Sequence, residues 1–167
     1  MGGGGNILEL VDKLSGARVL CIGDVMLDKF VYGDVSRISP EAPVPVCRVL
    51  SETVMLGGAG NVANNLAAIG VTVEFVSVIG SDKASDDIQS LIGSIDRIFP
   101  KFLTDPARRA TIKERFFAGP QQLLRVDREE TQNVGEDISD RVVTYAKKTL
   151  KNVGALVLSD YGKGVLS

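Results

Sequence analysis

The sequence has no histidine among its 167 residues and only two cysteines. The absence of histidine excludes the Ser-His-Asp triad, the Cys-His pair, histidine zinc sites and imidazole pH switches. Two cysteines are too few for a zinc cluster, and Cys21 and Cys47 each lie in an apolar, strand-like run. We therefore predict two buried thiols in a reducing compartment, with a disulfide as the alternative.

Long apolar runs and blocks of like charge are also missing. No run of about 18 apolar residues occurs, and the start, MGGGGNILEL, lacks the basic and apolar regions of a signal peptide. The 19 Lys and Arg residues nearly balance 21 Asp and Glu residues, without basic clusters. We predict a cytoplasmic protein that has neither nucleic acid nor membrane as a partner, with residues 1–5 as a flexible tail.

The composition, 44% hydrophobic and 24% charged, is that of a globular domain. Short apolar runs alternate with helical patterns, which predicts an α/β fold with a buried parallel sheet. A first helix, capped by Asn6, is predicted from Ile7 to Leu14, and another between Gly58 and Gly70. The remaining predictions are strands over 19–22, 73–79 and 155–158 and helices over 84–95 and 136–153.

Two β-rich segments, about 29–56 and 110–127, interrupt this alternation. In the first, three prolines punctuate short pieces, which is typical of exposed or edge strands because proline has no N–H to donate. In the second, ATIKERFFAG and QQLLRVD predict two strands joined by a turn at Gly119-Pro120. We expect the two segments to pair in one small β-sheet.

A glycine-rich segment, Gly57-Gly58-Ala59-Gly60-Asn61, opens a predicted helix. Positions without side chains let a ligand approach the backbone, and the first turn of a helix offers unpaired amides. Asn61, Asn64 and Asn65 add side-chain donors and acceptors, which favours a polar ligand. The alternative is a glycine turn needed only for close packing.

The same segment permits a second interpretation. Residues 58–63 match the GxGxxA pattern, and Asp82 follows about 20 residues on, as in a dinucleotide site of an NAD(P)-dependent oxidoreductase. That pattern requires the first buried strand of the fold to lead into the glycines. Here the preceding strand is very short, and the first buried strand leads to Asp24 instead.

Two aspartates, Asp24 and Asp28, follow the first predicted strand, where open α/β sheets bind their ligands. A carboxylate there can accept hydrogen bonds from two sugar hydroxyl groups. The alternative is that it forms an Asx turn or a helix cap. Asp160, after the last strand, has the same alternatives. Lys163 stands between two glycines, where its ammonium could face a phosphate or lie in solvent.

Three basic residues, Lys113, Arg115 and Arg125, occur along the second β-rich segment. They could face an anionic ligand or form the solvent side of alternating strands. We expect at least two of them on the solvated face, and Arg37 has the same two alternatives.

Four segments together resemble one family: GDVMLDKFVYGDVSRISPEAPVPV, LGGAGNVANNLAAIG, TIKERFFAGPQQLLRVDRE and LSDYGKGVLS. In this order they are similar to the N-terminal part of the ribokinase-like (PfkB) sugar kinases. Within these they resemble the D-glycero-β-D-manno-heptose 7-phosphate kinases of lipopolysaccharide core synthesis. The resemblance spans nearly all of residues 18–167, and such kinases occur alone or fused to an adenylyltransferase domain.

The resemblance implies an incomplete, Rossmann-like ribokinase fold in which a small β-sheet lid covers the sugar and often clasps a second subunit. The two β-rich segments would supply the lid and the homodimer contact. By position, Asp24 would hold sugar hydroxyls, Gly57 and Gly58 would form a hinge under the sugar, and Asn61 would bind it. Lys163 would face a phosphate, and the basic lid residues are candidates for the 7-phosphate.

The implied reaction is transfer of the ATP γ-phosphoryl group to the C1 hydroxyl of heptose 7-phosphate, with Mg²⁺ neutralising charge. Its general base is an aspartate in a GAGD-like segment, which belongs to the C-terminal half of these kinases and is absent from this sequence. We therefore predict an N-terminal kinase fragment that has no catalytic residue or metal of its own, holds ATP only weakly and is inactive alone. An oxidoreductase fragment and a non-enzymatic dimerisation module are the alternatives.

Overall fold

Two four-stranded sheets organise the chain in a computed structural model that describes residues 7–166. The predicted cap Asn6 and the tail 1–5 lie outside the described residues. In chain order the elements are α1 (Ile7–Leu14), β1 (Arg18–Gly23), β2 (Val25–Ile38), β3 (Pro45–Gly58), α2 (Ala59–Ala68), β4 (Thr72–Ile79), α3 (Lys83–Gly93), β5 (Ile98–Thr104), β6 (Thr111–Ala118), β7 (Gln121–Arg128), α4 (Glu136–Thr149) and β8 (Ala155–Ser159).

The first sheet is parallel, with strand order β5-β4-β1-β8. Alternate residues of β1 serve two cores, since Cys21 packs with α2 and α3 on one face and Leu20 with α4 on the other. Both side chains are fully buried. Helices on both faces explain the continuous apolar runs of β1 and β4, and the predicted α/β class is confirmed.

One strand of this sheet, β5, escaped the sequence prediction. Its sequence, IFPKFLT, contains Pro100, which argues against a central strand. The structure places β5 at the edge of the sheet, where only one side needs hydrogen bonds. The predicted helix 136–153 ends earlier, at Thr149, and continues as one 3₁₀ turn. None of the helices within residues 7–166 is both long and apolar enough to cross a membrane.

The second sheet has strand order β3-β2-β6-β7 and joins the two β-rich segments, as predicted. Parallel pairing of β2 with β6 connects two antiparallel hairpins. The prediction of short pieces in the first segment is wrong, because β2 and β3 each run for 14 residues. Register shifts at Tyr32/Gly33 and Val35/Arg37 absorb the irregular sequence without ending the strands. The edge position is confirmed for β3 only.

A single residue, Asp24, separates β1 of the first sheet from β2 of the second. The buried Ser77 hydroxyl of β4 fixes this junction, donating to the Gly23 carbonyl at 2.6 Å and accepting from the Val25 N–H at 3.2 Å. At the other end of the first hairpin, β3 leads directly into α2. The two sheets therefore meet around Asp24, Gly58 and the start of α2.

Candidate functional site

The Asp24 carboxylate lies inside the protein, with the residue only 1% exposed. Its Oδ2 accepts hydrogen bonds from the backbone N–H groups of Tyr161, at 2.9 Å, and Lys163, at 3.1 Å. Its Oδ1 accepts from the Val165 N–H at 3.1 Å. The predicted sugar-binding residue is therefore bound to the segment after β8, which we call the 161–165 loop.

Asp28, four residues further along β2, is more open, with 19% of its side chain exposed. Arg115 on the neighbouring strand β6 donates to Asp28 Oδ1 at 2.6 Å, and its guanidinium also lies over the Phe30 ring at 5.2 Å. A Cβ placed on Gly57 would be 2.5 Å from Asp28 Oδ2. The Asp28 carboxylate thus rests directly against the backbone of Gly57.

The two glycines that end β3 are required by this close packing. Gly57 pairs with Met26 and Gly58 with Val25 at the base of the first hairpin. Gly58 has φ +56°, a conformation that favours glycine, and it precedes the first residue of α2. Asn61 is exposed on the first turn of α2. The structure thus brings Asp24, Asp28 and the glycines together, the grouping that the family resemblance implied for Asp24 and the glycines.

Lys163 is not a solvated loop lysine, since only 15% of its side chain is exposed. Its Nζ lies 3.0 Å from Glu129 Oε2, just after β7. The hydrogen bond from Lys163 lowers the pKa of Glu129, and the positive charge of Lys113 adds to this. Arg108 donates to the carbonyl oxygens of Lys163 and Gln132. Lys163 therefore joins the 161–165 loop to the end of the second sheet.

Two other aspartates have structural roles. Asp160 accepts from the Gly162 N–H at 2.8 Å, an Asx turn, which is the alternative given for it above. Asp82 caps α3 by accepting from the Ser85 N–H at 2.9 Å, and it also accepts from the Ala110 N–H at 3.0 Å. Burial opposes ionisation of Asp82, but these hydrogen bonds outweigh it and lower the pKa.

The cap role of Asp82 removes the acid that the dinucleotide interpretation required. The glycines of that interpretation follow β3, an antiparallel strand of the second sheet, instead of a strand of the parallel sheet. A dinucleotide fingerprint needs the parallel strand before its glycines. The oxidoreductase alternative is therefore not favoured.

The basic residues of the second sheet pair with acids of the same sheet. Lys113 lies 2.9 Å from Asp127, and its hydrogen bond is the main cause of the lowered Asp127 pKa. Arg125 lies 2.9 Å from the same carboxylate. The exposed side-chain fractions are 19% for Lys113, 22% for Arg115 and 52% for Arg125. The expectation of at least two solvated side chains is wrong, while Arg37 is exposed.

Sequence reasoning missed Arg109, which immediately precedes the buried Ala110 at the start of β6. Arg109 is exposed and lines an open cleft of about 780 Å³ between the start of α3 and the end of β7. Within residues 7–166 its guanidinium has no acidic partner and no hydrogen bond. The consecutive arginines Arg108-Arg109 before a strand were the available signal.

Both cysteines have free thiols, so the disulfide alternative is wrong. Cys21 is fully buried, and burial raises the pKa of its thiol to about 11. Cys47 on β3 is partly exposed, which corrects the prediction of two buried thiols.

Solved structures with a similar fold are sugar kinases. A carbohydrate kinase from Agrobacterium tumefaciens superposes with a TM-score of 0.65 at 15% identity, over 85% of this chain and 45% of that one. Escherichia coli phosphofructokinase-2, solved in complex with fructose-6-phosphate, gives 0.60 at 19% identity, over 87% and 46%. These likenesses show the fold, an incomplete ribokinase-like fold.

Sequence comparisons identify related proteins more specifically than the fold does. The model of the pfkB family carbohydrate kinases matches residues 17–96. The bifunctional protein HldE of Paramagnetospirillum magneticum is 53% identical over 161 residues, and that of Rhodospirillum rubrum is 51% identical over 160. This chain therefore contains a segment similar to the pfkB family carbohydrate kinases. Each match covers 96% of this chain but only 33% and 32% of the relative, so the chain spans about a third of their length.

Proposed function

We propose that this chain is the sugar-binding part of a kinase that transfers the ATP γ-phosphoryl group to the C1 hydroxyl of D-glycero-β-D-manno-heptose 7-phosphate. The observation that carries the proposal is the Asp28 carboxylate, held by Arg115 against the backbone of Gly57. The match to the pfkB family carbohydrate kinases and the heptose kinase motifs support this choice of substrate. The product would enter ADP-heptose and lipopolysaccharide core biosynthesis. Because the substrates would be a sugar phosphate and ATP, we propose that the kinase acts in the cytoplasm.

Asp28 is suited to accept sugar hydroxyl groups. Arg115 occupies its Oδ1, which orients the carboxylate and leaves Oδ2 lone pairs beside Gly57. Hydrogen bonds to an ionised carboxylate are stronger than those between neutral groups. Because three backbone amides already bind the Asp24 carboxylate, we assign to Asp28 the hydroxyl contacts that the resemblance implied for Asp24.

The glycine segment would form the floor of the sugar site. The missing side chains of Gly57 and Gly58 allow the sugar to approach the backbone, and Asn61 offers an exposed amide on the next turn. Lys163 would face a phosphate group from the opposite side. Its ammonium is held by Glu129, so an incoming anion would compete with that carboxylate.

Arg109 is the group we assign to the 7-phosphate. Thr111, two residues on, pairs with Met26 on β2, which places this segment beside the strand that carries Asp28. The cleft at Arg109 is also lined by Lys83 and Arg128. Those two bases pair with Asp87 and Glu114. An arginine guanidinium can bind phosphate oxygens through two parallel N–H bonds.

The family implies ATP as phosphoryl donor, with Mg²⁺ at its phosphates. Within residues 7–166 no group of three or more His, Cys, Asp or Glu side chains is placed to hold a metal ion. We assign neither the nucleotide nor its metal to any residue of this part of the chain, and the transfer of the phosphoryl group is not routed through it.

Calorimetric titration of the purified chain with heptose 7-phosphate tests the sugar site, with ATP and NAD as parallel ligands. We expect Asp28→Asn to weaken binding by about tenfold or more, because an ionised acceptor is lost. Asp34→Asn is the matched control, since Asp34 lies on the same strand in a loose 3.7 Å pair with Arg48. Equal affinities of the two variants, or saturable NAD binding, would overturn the sugar site.

A second titration tests the phosphate assignment. Arg109→Gln is expected to weaken binding of heptose 7-phosphate by about tenfold and to leave binding of unphosphorylated heptose unchanged. Arg125→Gln, half-exposed and paired with Asp127, is the control. A similar loss for both sugars in the Arg109 variant would place Arg109 elsewhere than at the phosphate.

We also propose that the second sheet forms a homodimer contact. Its edge strand β3 is exposed from residue 48 to 55. Its exposed apolar residues include Leu50, 64% exposed, and Met55, 49% exposed, and exposed apolar surface can mark an interaction site. In sedimentation experiments Leu50→Glu should give monomers, whereas Phe99→Glu, 53% exposed on the first sheet, should not. A monomeric unmodified chain at high concentration would contradict the proposal.

A further inference from the structure

The 161–165 loop forms a pocket for an anion, and the anion in it is the side chain of Asp24. Alternate backbone N–H groups of the loop, those of Tyr161, Lys163 and Val165, converge on the carboxylate. The residues between them, Gly162 and Gly164, have φ values of +64° and +88°. Successive amides in such alternating conformations create a concave site that binds negative charge.

Asp24 is the fixed member of this pair. It is 1% exposed, its N–H donates to the Ser159 carbonyl at 3.1 Å, and its carbonyl accepts from the Ala59 N–H at 2.9 Å. The start of the loop is less enclosed, since Tyr161 is 50% exposed, whereas Val165 at its end is buried and the Gly164 carbonyl accepts from the Val134 N–H at 3.1 Å. The carboxylate therefore acts as the anchor, and the open start of the loop is the segment that it orders.

The position of the Lys163 ammonium follows from this anchoring. The Lys163 N–H is bound to Asp24, while its Nζ lies 3.0 Å from Glu129 at the end of the second sheet. Two other side chains of residues 7–166 hydrogen-bond to the backbone of the 161–165 loop: Arg108 donates to the Lys163 carbonyl, and Asp160 accepts from the Gly162 N–H. Without Asp24, all three convergent amides would lose their acceptor.

We propose that Asp24 is a positioning residue, whose carboxylate orders the 161–165 loop and thereby places the Lys163 ammonium against Glu129. This goes beyond the sugar contact implied by the resemblance and assigns Asp24 a partner within the chain. One consequence of this role rests on the proposed function: when the loop is released, the protein should bind a sugar phosphate more weakly.

Amide hydrogen exchange of the ¹⁵N-labelled chain, followed by NMR, tests the proposal. In Asp24→Ala the amides of Tyr161, Lys163 and Val165 should exchange at least about tenfold faster, since their acceptor is gone. The Phe75 amide in β4 reports whether the first sheet stays folded. Formate should restore the protection, because it replaces the deleted carboxylate atoms. Asp28→Ala is the matched control and should leave these loop amides unchanged.

A second readout follows Lys163 itself. Carbon-detected titration of Glu129 should show its pKa rising in Asp24→Ala, because a released loop withdraws the Lys163 ammonium. Asp24→Asn, which keeps the shape and removes the charge, should give a smaller effect in the same direction. It also provides a test should the alanine variant fold poorly.

The outcomes separate the role of Asp24 from the proposed function. Loop protection and a Glu129 pKa that stay unchanged in both variants would overturn the positioning role. A loss of protection that formate does not reverse, or that extends equally to Phe75, would also overturn it, because Asp24 would then serve the fold as a whole. If the loop responds as expected while Asp28→Asn does not affect heptose 7-phosphate binding, only the proposed function fails.

Discussion

The Lys163 ammonium lies 3.0 Å from the Glu129 carboxylate and so connects the two sheets by a second link besides their covalent junction. Lys163 belongs to the 161–165 loop after β8, and Glu129 follows β7 of the second sheet directly. Lys113 approaches the same carboxylate at 3.5 Å from within the second sheet. Lys113 lies on a strand of the second sheet, whereas Lys163 lies in the loop after a strand of the first sheet. Of the two, only Lys163 therefore links the two sheets through Glu129.

Lys163→Met should therefore raise the pKa of Glu129 towards its ordinary value. The hydrogen bond from Lys163 is the main cause of the lowered pKa, and Lys113 leaves part of the effect in place. Because this pKa is lowered in the folded protein, the ion pair stabilises the fold at pH values above the ordinary pKa of glutamate. That stabilisation is lost as the pH falls through the lowered value. Carbon-detected NMR titration measures both states.

Asp127 serves as an internal control in the same spectra. Its pKa is lowered mainly by the hydrogen bond from Lys113 and should not move in Lys163→Met. Equal changes at Asp127 and Glu129 would indicate a general disturbance of the second sheet, and no change at Glu129 would contradict the ion pair.

Ser77→Ala should lower the free energy of unfolding by about 1–3 kcal/mol, because the buried N–H of Val25 and carbonyl of Gly23 lose their shared partner. Urea denaturation measures the difference. Ser90→Ala is the matched control, since the Ser90 hydroxyl forms an exposed bond to the Asp86 carbonyl. Similar losses in the two variants would mean that Ser77 has no special role at the junction.

The two thiols should react at very different rates. Burial excludes reagent from Cys21 and raises its pKa to about 11, so little thiolate is present at pH 8. Cys47 is partly exposed. We expect an aromatic disulfide reagent to label one thiol per chain in the folded protein and both in denaturant. Rapid labelling of both thiols in the parent, or of the single remaining thiol in the Cys47→Ser variant, would contradict the burial of Cys21.

Gly57→Ala should displace the Asp28 carboxylate. The new Cβ would lie 2.5 Å from Asp28 Oδ2 and 2.8 Å from Met26 Cγ, closer than real contacts allow. We expect a loss of stability of about 1–3 kcal/mol together with weaker heptose 7-phosphate binding. Gly93→Ala is the control, because nothing lies within 4 Å of a Cβ there. Normal heptose 7-phosphate binding in Gly57→Ala would show that Gly57 is not part of the sugar site.

The sequence predicted the features that depend on local pattern. The runs of β1 and β4 are apolar because both faces of the first sheet are covered there, whereas the edge strand β8 leaves Leu156 and Leu158 exposed. Gly119-Pro120 lies at the turn of the second hairpin, between β6 and β7. Pro100 concealed β5, since a rule against proline in central strands does not apply at an edge. The length of β2 was underestimated because a bulge can hold an irregular sequence within one strand.

The sequence predicted residues of the candidate site but not their partners. Strand ends pointed to Asp24 and Asp28, and the family resemblance added Gly57 and Gly58, which the structure places beside them. The amides that bind Asp24 belong to residues far along the chain, and spacing contains no information about which carboxylate a loop will surround. For the same reason the Arg115 contact with Asp28 depends on the parallel register of β2 and β6, which only the structure gives.

Parallel pairing of β1 with β8 has a consequence for how the protein folds. Val19 pairs with Ala155, so a central strand finds one of its two neighbours only when residues near both ends of the described chain have met. The β2–β3 and β6–β7 hairpins need only nearby residues. Because distant contacts form slowly, the hairpins can form on the ribosome well before the parallel sheet is complete. Until β8 emerges, one side of β1 remains an open edge for chaperones or for aggregation.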